Sequence, residues 1–275
     1  MRSGRKVAPN LAAAEASIRQ AAEAGSQLVV TPENTALMEL ERKRVLANTH
    51  GEEGNPALDL FAGLSKELGL WLHIGATPIK LAAGKIANRS LLFSPEGSIT
   101  ARYDKIHMFD VDLPGGESYR ESKNYSAGNE AVTADLPWGG YGLTICYDLR
   151  FPALYRSLAK AGAQFIAVPS AFTKQTGEAH WRVLLRARAI ETGCFIFAPA
   201  QGGRHEIGRD TYGHSMIVSP WGEVIAEAGD APAVILADID TAQVVEARAR
   251  VPSLQHDRAF EVVQAESLEK EAAAK

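Results

Sequence analysis

Cysteine is scarce in this 275-residue sequence: Cys146 and Cys194 are the only two, too few for a disulfide framework. A reducing compartment is therefore the simpler expectation. Long apolar runs are missing as well, and nothing approaches the ~18 residues that cross a bilayer. The opening Met1-Arg-Ser-Gly-Arg-Lys6 leads into an alanine-rich amphipathic segment rather than the apolar core of a signal peptide. Neither sign of charge dominates: 29 Lys and Arg stand against 33 Asp and Glu, scattered along the chain, for a net −4. That balance gives no electrostatic case for nucleic acid or an anionic membrane. No Ser-, Gly- or Pro-rich linker or internal repeat breaks the interior, so residues 1–260 read as one domain, with 261–275 as a tail. The tail from Ser267 to Lys275 contains Glu-Ala-Ala-Ala-Lys, a helix-forming sequence of spacer type, and carries no functional weight. A soluble cytoplasmic protein is the expectation.

What the sequence does contain is an ordinary globular composition, 46% hydrophobic and 23% charged. Helical patterns alternate with short apolar runs. A helix is expected over 11–24, with Asn10 as its cap and Gly25 at its end, and a buried strand follows over 27–31. Pro56 and Gly69 bracket a second helix over 56–68. Strands are expected at 70–76, 88–94, 98–103, 131–136, 141–146, 164–169, 194–200, 214–219, 223–228 and 233–239. Pro152 opens a helix that stops before Gly162, and 178–191 forms another. This is an α/β pattern, and so many short strands suit two packed sheets with helices on both outer faces.

The segment Tyr141-Gly-Leu-Thr-Ile-Cys-Tyr-Asp-Leu-Arg-Phe-Pro152 carries the most chemistry. An apolar strand runs into Cys146, and Pro152 starts a helix a few residues later. A cysteine on such a turn projects above the sheet, where backbone N–H groups and a helix N-terminus favour thiolate or oxyanion charge. A buried structural cysteine fits the same pattern, because free cysteine is among the most buried residue types. Glu33 and Lys105 also follow strand-like segments and Glu121 sits in the polar stretch Ser118-Tyr-Arg-Glu-Ser122, yet each taken singly fits a solvated surface charge. No spacing rule joins them to Cys146. Gly139-Gly-Tyr-Gly142 precedes a strand rather than a helix and is no phosphate loop. His205, Glu206 and His214 lack metal-site spacing.

Thr31-Pro-Glu-Asn34, Tyr103-Asp-Lys-Ile-His-Met-Phe-Asp110 and Ile145-Cys-Tyr-Asp-Leu-Arg-Phe-Pro152, in this order, resemble the three motif regions of the nitrilase superfamily. The resemblance spans nearly the whole chain. It implies a four-layer α-β-β-α sandwich and a cofactor-independent, metal-free amidase with Glu33, Lys105 and Cys146 as catalytic residues. Glu121 matches the family's second glutamate. In that mechanism Glu33 is the general base, Cys146 the nucleophile that forms a thioester, and Lys105 with the Tyr147 N–H the oxyanion partners. Family members begin with an apolar strand before the first helix; this sequence opens in what looks like the following loop, so that strand is expected to be missing.

Downstream residues resemble the Nit-type amidase branch: Thr176-Gly-Glu-Ala-His-Trp181, Leu184-Leu-Arg-Ala-Arg-Ala-Ile-Glu191, Tyr212-Gly-His-Ser-Met216 and Pro220-Trp-Gly222. Within it the Ala179–Glu191 stretch is most similar to the group acting on deaminated glutathione, with the ω-amidases of α-keto amides as close siblings. The resemblance implies hydrolysis of a terminal amide of a small anionic substrate to carboxylate and ammonia. Tyr147, Arg150, Phe172 and Thr173 are the expected substrate contacts; Arg150, and Arg182 and Arg186 on the 178–191 helix, are the candidate carboxylate anchors, with intrahelical or interface pairing the simpler use of Arg186 and Arg188. True nitrilases have Trp-Glu after the cysteine where this chain has Tyr147-Asp148, which counts against nitrile hydrolysis. An N-carbamoyl substrate or an inactive partner protein of the same fold are the alternatives. A homodimer or larger homo-oligomer is implied, with the Trp181 helix as a surface for it.

Overall fold

The computed structural model describes residues 1–264, so the spacer-like stretch from Ser267 onward lies outside the described residues. The first element is helix α1, Val7–Glu23. It starts earlier than the capping pattern predicts, because Asn10 is buried within it rather than capping it. The Asn10 amide holds the Gly4 N–H at 2.7 Å and the Ala36 carbonyl at 2.9 Å, which ties the first loop to the helix. Gly25 ends it in the left-handed region, with φ 87°.

Strand β1, Leu28–Val30, is followed by α2, Arg42–Ala47, and α3, Pro56–Leu68. Helix α3 has the predicted bounds: Asn55 accepts a bond from the Ala57 N–H, Pro56 opens the first turn, and Gly69 closes the end in the left-handed region. Strands β2 (Trp71–Lys80), β3 (Ile86–Phe93) and β4 (Ile99–Asp104) complete a sheet in the order β1-β2-β3-β4. β1 runs parallel to β2, and the rest are antiparallel. A small hairpin follows, β5 (Asp110–Asp112) with β6 (Ser118–Arg120).

The second half supplies β7 (Val132–Leu136), β8 (Gly139–Leu143), α4 (Pro152–Lys160) and β9 (Ala163–Ala167). Next come the single turn α5 (Lys174–Thr176), a wide helical turn over Gly177–Trp181, α6 (Arg182–Thr192) and β10 (Phe195–Ala198). The hairpin β11 (Gly202–Arg204) and β12 (Asp210–Tyr212) precedes β13 (Met216–Val218), β14 (Val224–Glu227) and α7 (Ala242–Arg250). The large sheet has the order β14-β13-β10-β9-β8-β7, with β8, β9 and β10 parallel.

Layering follows from side-chain alternation. Leu72, Ile74, Leu91 and Phe93 of the smaller sheet pack outward against Ile18 of α1 and Phe61 and Leu64 of α3. Leu92, Ala101 and Tyr103 face inward onto Tyr141, Leu143 and Phe165 of the larger sheet, whose outer face is covered by Leu158 of α4 and Leu185 of α6. The result is the four-layer α-β-β-α sandwich, with strands buried on both faces, which is why they read as nearly continuous apolar runs.

Residues 233–239 depart from expectation: they form no strand, despite their apolar pattern. They flank a cavity of about 510 Å3 whose opposite wall is Leu28–Thr31, and Met1 lies at its edge. β1 is hydrogen-bonded on one side only, to β2, and among the described residues no strand precedes α1. Two backbone segments without strand partners on these sides thus border one gap of mixed polarity. An apolar, β-branched extension of about six residues placed before Met1 is expected to raise the melting temperature by about 5 °C or more. An unchanged melting temperature would contradict the reading of this gap as a strand position.

Candidate active site

Four strand ends deliver the ionisable groups to one place. Glu33 follows β1 through Thr31 and Pro32, Lys105 follows β4 directly, Glu121 follows β6, and Cys146 follows β8 through Thr144 and Ile145. Backbone pairing continues past the strands to fix them. The Lys105 N–H donates to the Asn88 carbonyl at 3.0 Å, and the Cys146 N–H to the Pro169 carbonyl at 2.9 Å. Cys146 adopts φ 50°, a left-handed conformation that costs a non-glycine residue about 1–3 kcal/mol and turns its side chain out of the strand.

The Lys105 ammonium, 2% exposed, lies between the two carboxylates. It donates to Glu33 Oε1 at 2.9 Å and to Glu121 Oε1 and Oε2 at 3.0 and 2.8 Å. Asn88 Nδ2 bridges the same acids, at 2.9 Å from Glu33 and 3.1 Å from Glu121. The Phe109 N–H fixes Glu121 Oε2 at 2.7 Å. The Cys146 thiol and the Glu33 carboxylate are close enough to shift each other's ionisation. All four groups open onto one cavity of about 510 Å3, also lined by Tyr119, Tyr125, Tyr147, Phe172 and Arg209.

Burial by itself would raise the Glu33 carboxyl, but the Lys105 charge, its hydrogen bond, the Cys146 thiol and the Arg209 charge hold it below its ordinary 4.5. Burial likewise disfavours the Lys105 ammonium, and the Glu121 and Glu33 carboxylates overcome it, so the amine stays charged well above its usual range. The Cys146 thiol is pushed up, first by burial and then by the Glu33 carboxylate. The site at neutral pH is thus a protonated thiol beside an ionised carboxylate and a locked ammonium.

Two further residues hold the limbs together. Asp148, fully buried, accepts from Tyr103 Oη at 2.7 Å and the Ile145 N–H at 2.9 Å through Oδ2. Its Oδ1 meets the His107 N–H at 3.1 Å and His107 Nδ1 at 2.7 Å. It therefore clamps the strained cysteine turn to the segment that carries Lys105. Gly75 on β2 brings the Glu33 limb against the same turn: a Cβ there would lie 2.0 Å from the Thr31 carbonyl oxygen and 2.4 Å from Pro169 Cβ.

Of the expected substrate contacts, Tyr147 and Phe172 line the cavity. Arg150 is not among the lining residues; its guanidinium lies over the Tyr147 and Phe172 rings, 5.8 and 5.3 Å from their centroids. Thr173 lies behind the wall, where its hydroxyl accepts from the Thr176 N–H at the start of α5. The arginines of α6 also point elsewhere: Arg182 pairs with Glu227, Arg186 donates to the Gly222 carbonyl and Arg188 pairs with Glu191. Asn88, Asp148 and Arg209 were not singled out by the sequence. Asp148 carried a signal in hindsight, since an acid three residues into a turn suits its backbone N–H groups; the other two carried none.

The chain belongs to the carbon-nitrogen hydrolase family, whose profile matches residues 3–249. Among curated relatives it is similar to a deaminated glutathione amidase of Yersinia enterocolitica, 44% identical over 93% of this chain and 90% of the relative. The human deaminated glutathione amidase is 40% identical over 88% of this chain and 75% of its own length. Among solved structures, the C. elegans NitFhit protein superposes with a TM-score of 0.86 at 36% identity, over 94% of this chain and 63% of that one. Saccharomyces cerevisiae Nit3, described as a member of branch 10 of the nitrilase superfamily, gives 0.83 at 28% identity over 91% of each chain.

Two outcomes are expected of this network. Asp148→Ala leaves four donors without their acceptor and lowers unfolding stability by about 3 kcal/mol or more in urea; a loss under about 1 kcal/mol would remove the clamp from the account. The depressed Glu33 carboxyl contributes stability that is present above 4.5 and lost as pH falls through its folded value. The melting temperature is accordingly level near neutrality and falls below about pH 4.5, more steeply in the native protein than in Glu33→Gln. Equal slopes for the two proteins would contradict the linkage.

Proposed function

We propose that this protein is a cysteine amidase acting on a small anionic substrate, with Cys146 as nucleophile, Glu33 as general base and acid, and Lys105 as the fixed cation. The observation that carries the reading is Cys146 opening onto one cavity with a buried Glu33 that is itself ion-paired to Lys105. Glu33 takes the thiol proton as sulfur bonds to the amide carbon. Lys105 Nζ and the Tyr147 N–H stabilise the oxyanion. The Glu33 proton passes to the leaving nitrogen, the C–N bond breaks, and a thioester remains. Water then gives a proton to Glu33 and bonds to the carbonyl carbon; the C–S bond breaks, and the proton returns to sulfur. Glu121 keeps Lys105 charged and in place.

The substrate class is supported by the likeness to deaminated glutathione amidases together with a cavity whose wall includes Arg42, Arg120, Lys123 and Arg209. Deaminated glutathione is glutathione with its amino group replaced by a ketone, so cleavage of its ω-amide yields α-ketoglutarate and cysteinylglycine. α-Ketoglutaramate yields the same acid and ammonia. Two unpaired cysteines fit a reducing cytoplasm. Exposed Val183 and Ile190 share one face of α6, and exposed Trp221 follows alongside Ile190. This apolar face suits a second copy of the chain. Trp181 takes no part in it, since its ring is buried against Phe172.

Formation of α-ketoglutarate from each substrate tests the proposal. Turnover of deaminated glutathione that disappears in Cys146→Ala is the expected result. Turnover of α-ketoglutaramate alone would keep the mechanism and make the protein an ω-amidase. No turnover of either would overturn the amidase reading in favour of an inactive partner of the same fold.

A further inference from the structure

Arg209, just before β12, lines the catalytic cavity, and its one part in the chemistry above is the effect of its charge on Glu33. Its surroundings differ from those of the other arginines there. Arg120 is neutralised by Asp112, with two bonds of 2.8 Å, and Arg42 is spent on the Lys123 and Asn124 carbonyls. Arg209 has no carboxylate partner among the described residues. Its Nη2 donates to the Ala171 carbonyl, its guanidinium lies over the Tyr119 ring at 5.0 Å, and its buried Nε has no partner at all. A buried guanidinium N–H without an acceptor is unfavourable by about 1–3 kcal/mol, and among the arginines of this wall Arg209 is the least compensated by the described residues, the one left to take an anionic partner in the cavity.

The position of that partner is bounded. Ala171, which holds Nη2, also lies with its backbone against the Cys146 sulfur. Adding the bond and contact lengths places the guanidinium within about 10 Å of the sulfur. An acyl group whose carboxylate stands four bonds from the reacting carbonyl spans this interval. A carboxylate at the far end of a dipeptide leaving group stands six bonds from that carbonyl, on the other side of the bond that breaks.

We propose that Arg209 is the specificity-determining residue of this site: it receives the carboxylate on the acyl side of the substrate through the guanidinium N–H groups that open on the cavity, its plane held by Tyr119. The inference rests on the amidase reading for its chemistry but selects the substrate independently of it. A carboxylate accepts two parallel bonds from such a fork, and the flanking ring fixes its plane. The neutral amide of equal length, pentanamide, gains nothing from the contact.

The test is the ratio of kcat/KM for α-ketoglutaramate to that for pentanamide, in the native protein, Arg209→Gln and Arg209→Lys. The ratio is expected to fall by about 30-fold in Arg209→Gln, mostly through KM, and to recover in part in Arg209→Lys. An unchanged ratio, with both substrates impaired alike, would show a structural role and overturn the proposal. If the native protein hydrolyses neither amide, the amidase reading fails, and α-ketoglutarate binding by isothermal titration decides for Arg209. Loss of that binding in Arg209→Gln supports the anchor, and equal binding in both proteins rejects it.

Discussion

The structure turns on one buried cation. Lys105 is taken out of water between Glu33 and Glu121, and an ion in such a place is tolerable only when every proton of its ammonium is matched. Two limbs of the smaller sheet and the β5–β6 hairpin must therefore converge to within hydrogen-bond distance, or the ammonium is left uncompensated at a cost of about 3–5 kcal/mol. Asn88 and the Phe109 N–H add donors to Glu33 Oε1 and to both oxygens of Glu121. The same arrangement dictates the state of the thiol. With Glu33 held ionised by Lys105, a second negative charge on Cys146 is opposed, so the nucleophile rests neutral beside its base.

The nucleophile comes from the other sheet, and three features hold it there. Gly75 lets the Thr31 carbonyl and Pro169 approach without a side chain between them. The Pro169 carbonyl accepts the Cys146 N–H, and Asp148 ties the strained turn to Tyr103 and His107, on the limb that carries Lys105. The strain at Cys146 is sustained by bonds formed outside the turn, and the account of catalysis depends on that rigidity.

Legibility in the sequence followed the range of the interaction. α3 was read with its bounds because Asn55, Pro56 and Gly69 act locally. Cys146 on a strand-to-turn junction was visible from the apolar run before it and Pro152 after it. The assembly of Glu33, Lys105 and Glu121 came from motif resemblance, since no periodicity relates residues whose contacts span up to 72 positions. Asn88 and Arg209 stayed hidden for the same reason: Asn88 sits mid-strand, and Arg209 reaches the site from a small hairpin that the apolar pattern did not reveal. Residues 233–239 failed in the opposite direction. Their composition is that of a strand, but pairing needs a neighbour, and here a cavity stands in its place.

The central claim, a protonated thiol beside an ionised Glu33, is open to direct measurement. Cysteine labelled with 13C at Cβ reports thiol ionisation by its chemical shift, and the Cys146→Ala protein assigns the two signals. The account predicts that Cys146 remains a thiol through neutrality and ionises only at strongly alkaline pH, where burial and Glu33 have moved it. A thiolate signal at pH 7 in the free enzyme would contradict it, because Cys146 and Lys105 would then already form an ion pair, and Glu33 would have no proton to take.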